Sequence, residues 1–129
     1  MKIATLLPAI GFLALTACAT TPTPPASFDP AATSFTGWVR FTDGEFQLFE
    51  REVQVRNEFS RPCVSGALPL DLQRTARRDL SGQMVTFTGR AVSWADRSTP
   101  TGLTHEASII RNTCGGDYVI LAESVSVIR

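Results

Sequence analysis

Three cysteines, Cys18, Cys63 and Cys114, and one histidine, His105, are the side chains of this 129-residue chain best suited to nucleophilic or metal chemistry. A thiolate nucleophile needs a free thiol, a base within hydrogen-bond reach and a third group that orients the base. Cys114 and His105 would have to supply the first two, and no neighbouring residue marks an orienting group or an oxyanion-hole loop. Zinc held by Cys63, Cys114 and His105 would lack paired ligand spacing such as Cys-x-x-Cys. His105-Glu106 is a bare dipeptide rather than His-Glu-x-x-His, so His105 reads as an ordinary strand-edge residue. Cys114-Gly115-Gly116-Asp117 reads as a tight turn, because a phosphate-cradling loop needs a longer glycine pattern opening a helix. The expectation is a chain with no catalytic residues, no metal site and no cofactor.

The carboxylates point the same way. Asp43 and Glu45 flank a predicted turn, and Glu50, Glu52 and Glu58 follow it, where acids commonly keep a sheet surface soluble. General acid–base work would need a cleft and shifted pKa values, which no spacing here implies. The mixture of Trp38, Arg40, Arg90, Trp94, Arg97 and Tyr118 is the one arrangement that suggests a binding surface. Outward aromatics with arginines between them stack on sugars or bases, or anchor a protein partner. The competing expectation has Trp38 and Trp94 covering a second small core under the linker or the 95–104 loop.

Positioning these residues falls to a mostly β pattern. Phe35, Gly37, Val39 and Phe41 fall on one face of a strand, with Thr36, Trp38, Arg40 and Thr42 on the other. Asp43-Gly44 suits a two-residue type I′ hairpin, and the return strand is predicted from Glu45 to about Val55, with a bulge where Phe49 breaks the alternation. A third strand is predicted near Cys63–Leu68. Pro69–Leu80 reads as the single helix, with Leu72, Ala76 and Leu80 on one face. Its other face carries Arg74, Arg77 and Arg78, read as solvated and paired locally with Asp71. Met84–Trp94 is a strand in which Gly89 marks a bend. A loop over 95–104, a strand over 105–111, a turn over 112–117 and a last strand over 118–128 complete the pattern.

Three strands, a helix and two or three further strands make a mainly β fold, a small five- to six-stranded barrel with one helix. This order over residues 33–129 resembles an OB-fold, the Greek-key barrel whose helix lies between its third and fourth strands. A lipocalin-like or inhibitor-like small barrel is the alternative.

The N-terminus carries a different kind of signal. Met1-Lys2 is a basic start, Ile3–Leu15 is a short run of apolar or small residues interrupted by Thr5 and Pro8, and Leu15-Thr16-Ala17-Cys18 closes it. The run is too short for a good membrane span. Its last four residues resemble the lipobox of bacterial lipoproteins, in which the cysteine is acylated and becomes the first residue after cleavage. The competing readings are an ordinary cleaved signal peptide with an incidental Cys18, and a buried N-terminal helix. The resemblance divides the chain into a signal peptide at 1–17, a lipidated Cys18 with a Pro- and Thr-rich tether to residue 32, and a domain at 33–129. Two or three acyl chains would hold the protein at a bilayer, and Ala19 after the cysteine implies the outer membrane, facing the periplasm, in a Gram-negative host.

With Cys18 taken by lipid, the resemblance leaves Cys63 and Cys114 as an even pair in an exported chain, which implies a disulfide. The chain past the signal has eleven arginines and no lysine against twelve acids, a balance that gives no reason to expect nucleic-acid binding. The leading expectation is a noncatalytic envelope lipoprotein that binds an envelope protein or a glycan. An inhibitor of lysozyme or a protease is the alternative, and a small enzyme using Cys114 and His105 the third.

Overall fold

The computed structural model describes residues 28–129; the lipobox-like Leu15–Cys18 and most of the tether lie outside the described residues. The described elements are β1 (Ser34–Phe41), β2 (Phe46–Phe49), β3 (Val64–Ala67), α1 (Leu70–Leu80), β4 (Met84–Ser93), β5 (Leu103–His105), β6 (Ser108–Ile110) and β7 (Tyr118–Val127). Five strands close a barrel in the order β1-β2-β3-β7-β4, and β4 pairs back onto β1. Within the barrel β3 and β7 run parallel and every other pairing is antiparallel. The fold is thus mainly β, a closed five-stranded barrel with one helix between β3 and β4.

These strand directions sort the connections. The start of β1, the end of β2, the start of β3, the end of β4 and the start of β7 all lie at one end of the barrel. The chain enters there, and the segments after β2 and after β4 leave from there. The β1–β2 turn, α1 and the C-terminus lie at the opposite end.

Alternation builds the core. Phe35, Val39 and Phe41 of β1 point inward with Phe46 and Leu48 of β2, Val85 and Phe87 of β4, and Ile120 of β7. The Phe46 and Phe87 rings stack at 3.9 Å, and Phe41 meets both edge-on, so three aromatics fill the centre. Gly66 makes room for this stack, since a Cβ there would lie 2.5 Å from the Phe46 ring. Helix α1 closes the barrel with the predicted face: Ala76 is buried, and Leu72 and Leu80 pack beside it. Phe28 and Ala32 also pack against this core, so the folded unit reaches back into the segment read as tether.

Gly89 is the bend that the sequence predicts. The β4–β7 register shifts between Thr88 and Gly89, and a Cβ on Gly89 would lie 2.1 Å from the Leu121 carbonyl oxygen. Beyond the shift, Val92 packs outside the barrel on a second core of Ala67, Leu103, Ile110, Val119 and Leu121. The β5–β6 hairpin covers that core.

Several local expectations are corrected. In the β1–β2 turn only Gly44 has positive φ, at 83°, so the turn is not type I′, which would need Asp43 left-handed as well. The return strand stops at Phe49 and gives way to a short 3-10 helix, Glu52–Arg56, that packs on β1 and β2. Phe49 marks no bulge: it stays in register opposite Trp38 and is buried because both faces of β2 are covered. The single strand predicted over 105–111 is a hairpin whose turn, Glu106-Ala107, has φ of 47° and 71°, the two left-handed residues of a type I′ turn. Leu70 N–H donates to the Glu106 carbonyl at 3.0 Å and Ser108 Oγ to the Leu68 carbonyl at 2.6 Å, so contacts with the start of α1 hold this turn without glycine. Arg77 pairs with Asp43 at 3.1 Å rather than with Asp71, in an exposed pair of small energetic weight.

Because the Gly89 Cβ position collides with backbone, Gly89→Ala is expected to cost about 3 kcal/mol. Urea unfolding measures this, and a loss below about 1 kcal/mol would contradict the close packing of β4 on β7.

Candidate functional site

The thiols are engaged with each other. Cys63 and Cys114 form a disulfide with Cα atoms 5.4 Å apart, closing a sequence separation of 51 residues. Closing so long a loop is worth about 4 kcal/mol in the chain-entropy account. It ties the residue before β3 to the turn before β7, and it removes both sulfurs from nucleophilic or zinc-ligating roles.

His105 ends β5, an edge strand of the two-stranded β5–β6 sheet, but is buried there, and its Nε2 lies 2.8 Å from the Ala122 carbonyl oxygen. The same nitrogen is 3.6 Å from a Glu123 carboxylate oxygen. With Glu106 these residues form the one group among the described residues whose side chains could gather on a metal ion, with ligand atoms within 4.8 Å of one another. The nitrogen facing Glu123 already serves Ala122, so the ring acts as a structural donor that pins β5 to β7.

Glu45 is the largest departure from the sequence reading. Expected as a solubilising surface acid, it is 1% exposed. One carboxylate oxygen accepts the N–H of Arg111 and, at 3.1 Å, that of Asn112. The other accepts the Thr113 N–H at 3.0 Å and the Thr113 hydroxyl at 2.7 Å. Three successive amides converge because Asn112 is left-handed, with φ of 60°, which makes residues 111–113 a backbone nest of the kind that binds anions. Its anion is supplied by the chain itself. Gln47 Nε2 donates to Thr113 Oγ1 at 3.0 Å, Arg61 Nη2 to the Thr113 carbonyl at 2.8 Å, and Cys114 N–H to Ser65 Oγ at 3.0 Å. Residues 111–114 are therefore fastened across the outside of β2 and β3.

The six residues read as a binding surface divide between sites. Trp38 lies opposite Met84 at the start of β4, whereas Trp94 follows Ser93 at the other end of that ten-residue strand. Arg40 donates to the Val55 carbonyl, holding the 3-10 helix against β1. Arg90 is exposed on β4 opposite Leu121. Tyr118 starts β7 beside Ser93, and its hydroxyl donates to the Phe28 carbonyl at 2.8 Å. Trp94 packs on the second core, as the competing expectation for that residue has it, while Trp38 does not belong to that core.

Arg97 and Trp94 do come together, with the guanidinium 5.1 Å from the ring centroid. The segment they open is exposed but heavily bonded to itself. Arg97 donates to the carbonyls of Trp94 and Pro100, at 2.9 and 3.1 Å. Thr99 N–H and Oγ1 both donate to the Gly102 carbonyl, and Thr104 N–H donates to Ser98 Oγ. A shallow, solvent-open depression lined by Ala95, Arg97, Ser98, Thr99 and Pro100 lies on it. None of these bonds leaves a periodic signature, so the sequence predicts only a loop over 95–104.

Burial above all, then the negative charges of Asp29 and Glu50, raise the Tyr118 phenol above its ordinary pKa. The folded state thus keeps a proton that the unfolded chain gives up above about pH 10. The contribution to stability is complete below that pH and is lost as pH rises through the higher folded value. Tyr118 is the sole tyrosine of the chain, so the phenolate absorbance reads it directly. The native protein is expected to titrate above free tyrosine, and Tyr118→Phe to remove that part of the alkaline loss; a normal titration would contradict the half-buried phenol bonded to Phe28. For the nest, Glu45→Gln is expected to cost about 2–3 kcal/mol, since the amide offers hydrogens where the backbone also offers hydrogens. Unchanged urea stability would contradict the bonding described.

Compared with known proteins, the chain matches no family model, no curated protein and no solved structure.

Proposed function

We propose that this chain is a noncatalytic cell-envelope lipoprotein, anchored through acylated Cys18 and presenting its barrel to the periplasm as an interaction module. The N-terminal Leu-Thr-Ala-Cys supports the anchor and, in a Gram-negative host, Ala19 supports the outer membrane. The observation that carries the module is the self-bonded segment 94–104. An exposed surface already held in one conformation loses little entropy on binding, and Trp and Arg are favoured anchors.

The strand order supports an OB-like reading. Barrels of that kind bind ligands across strands two and three and the loops between strands one and two and between four and five. Here Glu45 and its nest fasten residues 111–114 over β2 and β3, which fills that groove from within the chain. The long connection between β4 and β7 offers its outer part instead, with Trp94 and Arg97 as the anchors for an envelope protein or a glycan. The same rigid projection, with Pro100 and Thr101 exposed, also suits insertion into an enzyme cleft, which keeps inhibition of lysozyme or a protease as the second reading.

Mass spectrometry of the membrane-extracted protein is expected to find an N-terminal Cys18 carrying two or three acyl chains. An unmodified terminus at Ala19 or later would overturn the anchor. Thr101→Glu, which leaves the internal bonds of the loop intact, is expected to reduce in-cell cross-linking to the partner by about tenfold. Equal capture by both proteins would overturn the assignment of the module to 94–104. Lysozyme inhibition by the wild type that Thr101→Glu abolishes would select the second reading.

A further inference from the structure

The segment between β2 and β3 carries the two most exposed large apolar side chains among the described residues. Phe59 is 77% exposed and Val53 61%. Neither is loosely presented. Val53 belongs to the 3-10 helix Glu52–Arg56, which Arg40 holds against β1. Phe59 sits in a turn closed by its own N–H to Asn57 Oδ1 at 2.8 Å, and the following Arg61 is fixed to the Thr113 carbonyl. An exposed aromatic side chain carried on a bonded turn suits an apolar partner.

The path of the chain identifies that partner. By strand direction the 50–63 connection shares the barrel end at which the chain enters β1. Phe28 is fastened near this end by the Tyr118 hydroxyl, and Glu50, the first residue of the connection, is close enough to raise the pKa of the same Tyr118. Cys18 and Phe28 are ten positions apart, and ten Cα–Cα steps span at most about 35 Å. We infer that Phe59 dips into the surface of the bilayer to which Cys18 is attached. This inference rests on the acylation of Cys18 proposed above. A tether of this length turns a contact too weak to hold a free protein into an intramolecular one. Glu50, Arg51, Glu52, Arg56, Glu58 and Arg61 give the segment no formal net charge, so the contact is with the apolar layer and needs no anionic lipid.

Quenching of tryptophan emission by lipids brominated in their acyl chains tests this on the membrane-extracted protein in phosphatidylcholine vesicles. Phe59→Trp places a third indole beside Trp38 and Trp94, and full burial of it would remove about a third of the emission. Ile128→Trp does the same at the opposite barrel end, where Ile128 is 45% exposed. The expected result is quenching added by Phe59→Trp over the wild type, with none added by Ile128→Trp, at low and high salt alike. If acylation of Cys18 is confirmed and Phe59→Trp adds no quenching, or both variants add it equally, the inference is overturned while the anchor stands. If Cys18 carries no lipid, the anchor falls and the inference with it.

Discussion

The carboxylate of Glu45, buried and receiving three consecutive backbone amides and a hydroxyl from a segment 66 to 68 residues away, sets the shape of the barrel's surface. A buried charge without such donors would be strongly unfavourable, so Glu45 and residues 111–113 must come together for either to fold as they do. The Cys63–Cys114 disulfide secures the adjoining residue covalently, and Ser65 Oγ caps the amide of Cys114 itself. Between them these ties bring the connection from β6 to β7 down across β2 and β3. The β5–β6 hairpin then has a fixed return path and can cover the second core on the outside of β4 and β7.

That arrangement determines what is left for function. The side chains with the most chemical potential are engaged inside the fold: both described cysteines with each other, His105 with the Ala122 carbonyl, and Glu45 with the nest. Residues 111–114 of the chain itself lie across β2 and β3. What remains outward is conformationally defined rather than reactive: the 94–104 segment with Trp94 and Arg97, and the 50–63 connection with Phe59. Both leave the barrel at the end where the chain enters.

Much of the barrel was legible because its signals are local. Phe35, Val39 and Phe41 alternate as a half-buried strand must, Leu72, Ala76 and Leu80 recur at helical spacing, and Gly89 falls where two backbones approach too closely for a side chain. The disulfide followed from counting cysteines once Cys18 was assigned elsewhere. The departures have tertiary causes. Glu45 looks like a surface acid because the amides that satisfy it lie far along the chain, and no periodicity reports them. Glu106-Ala107 carries none of the turn residues that allow left-handed backbone, since α1 and β7 hold it from outside. Trp38 and Trp94 share an aromatic character that suggested one surface, yet the length of β4 separates them.

The central claim is that a single internal carboxylate locks residues 111–113 into the folded unit rather than leaving them a surface loop. Native-state hydrogen exchange at the amides of Arg111, Asn112 and Thr113 tests it most directly. The account predicts that these amides open only with the barrel, exchanging as slowly as the core strands β4 and β7 and losing that protection in Glu45→Gln. Exchange at the rate of an unbonded loop in the native protein would contradict it.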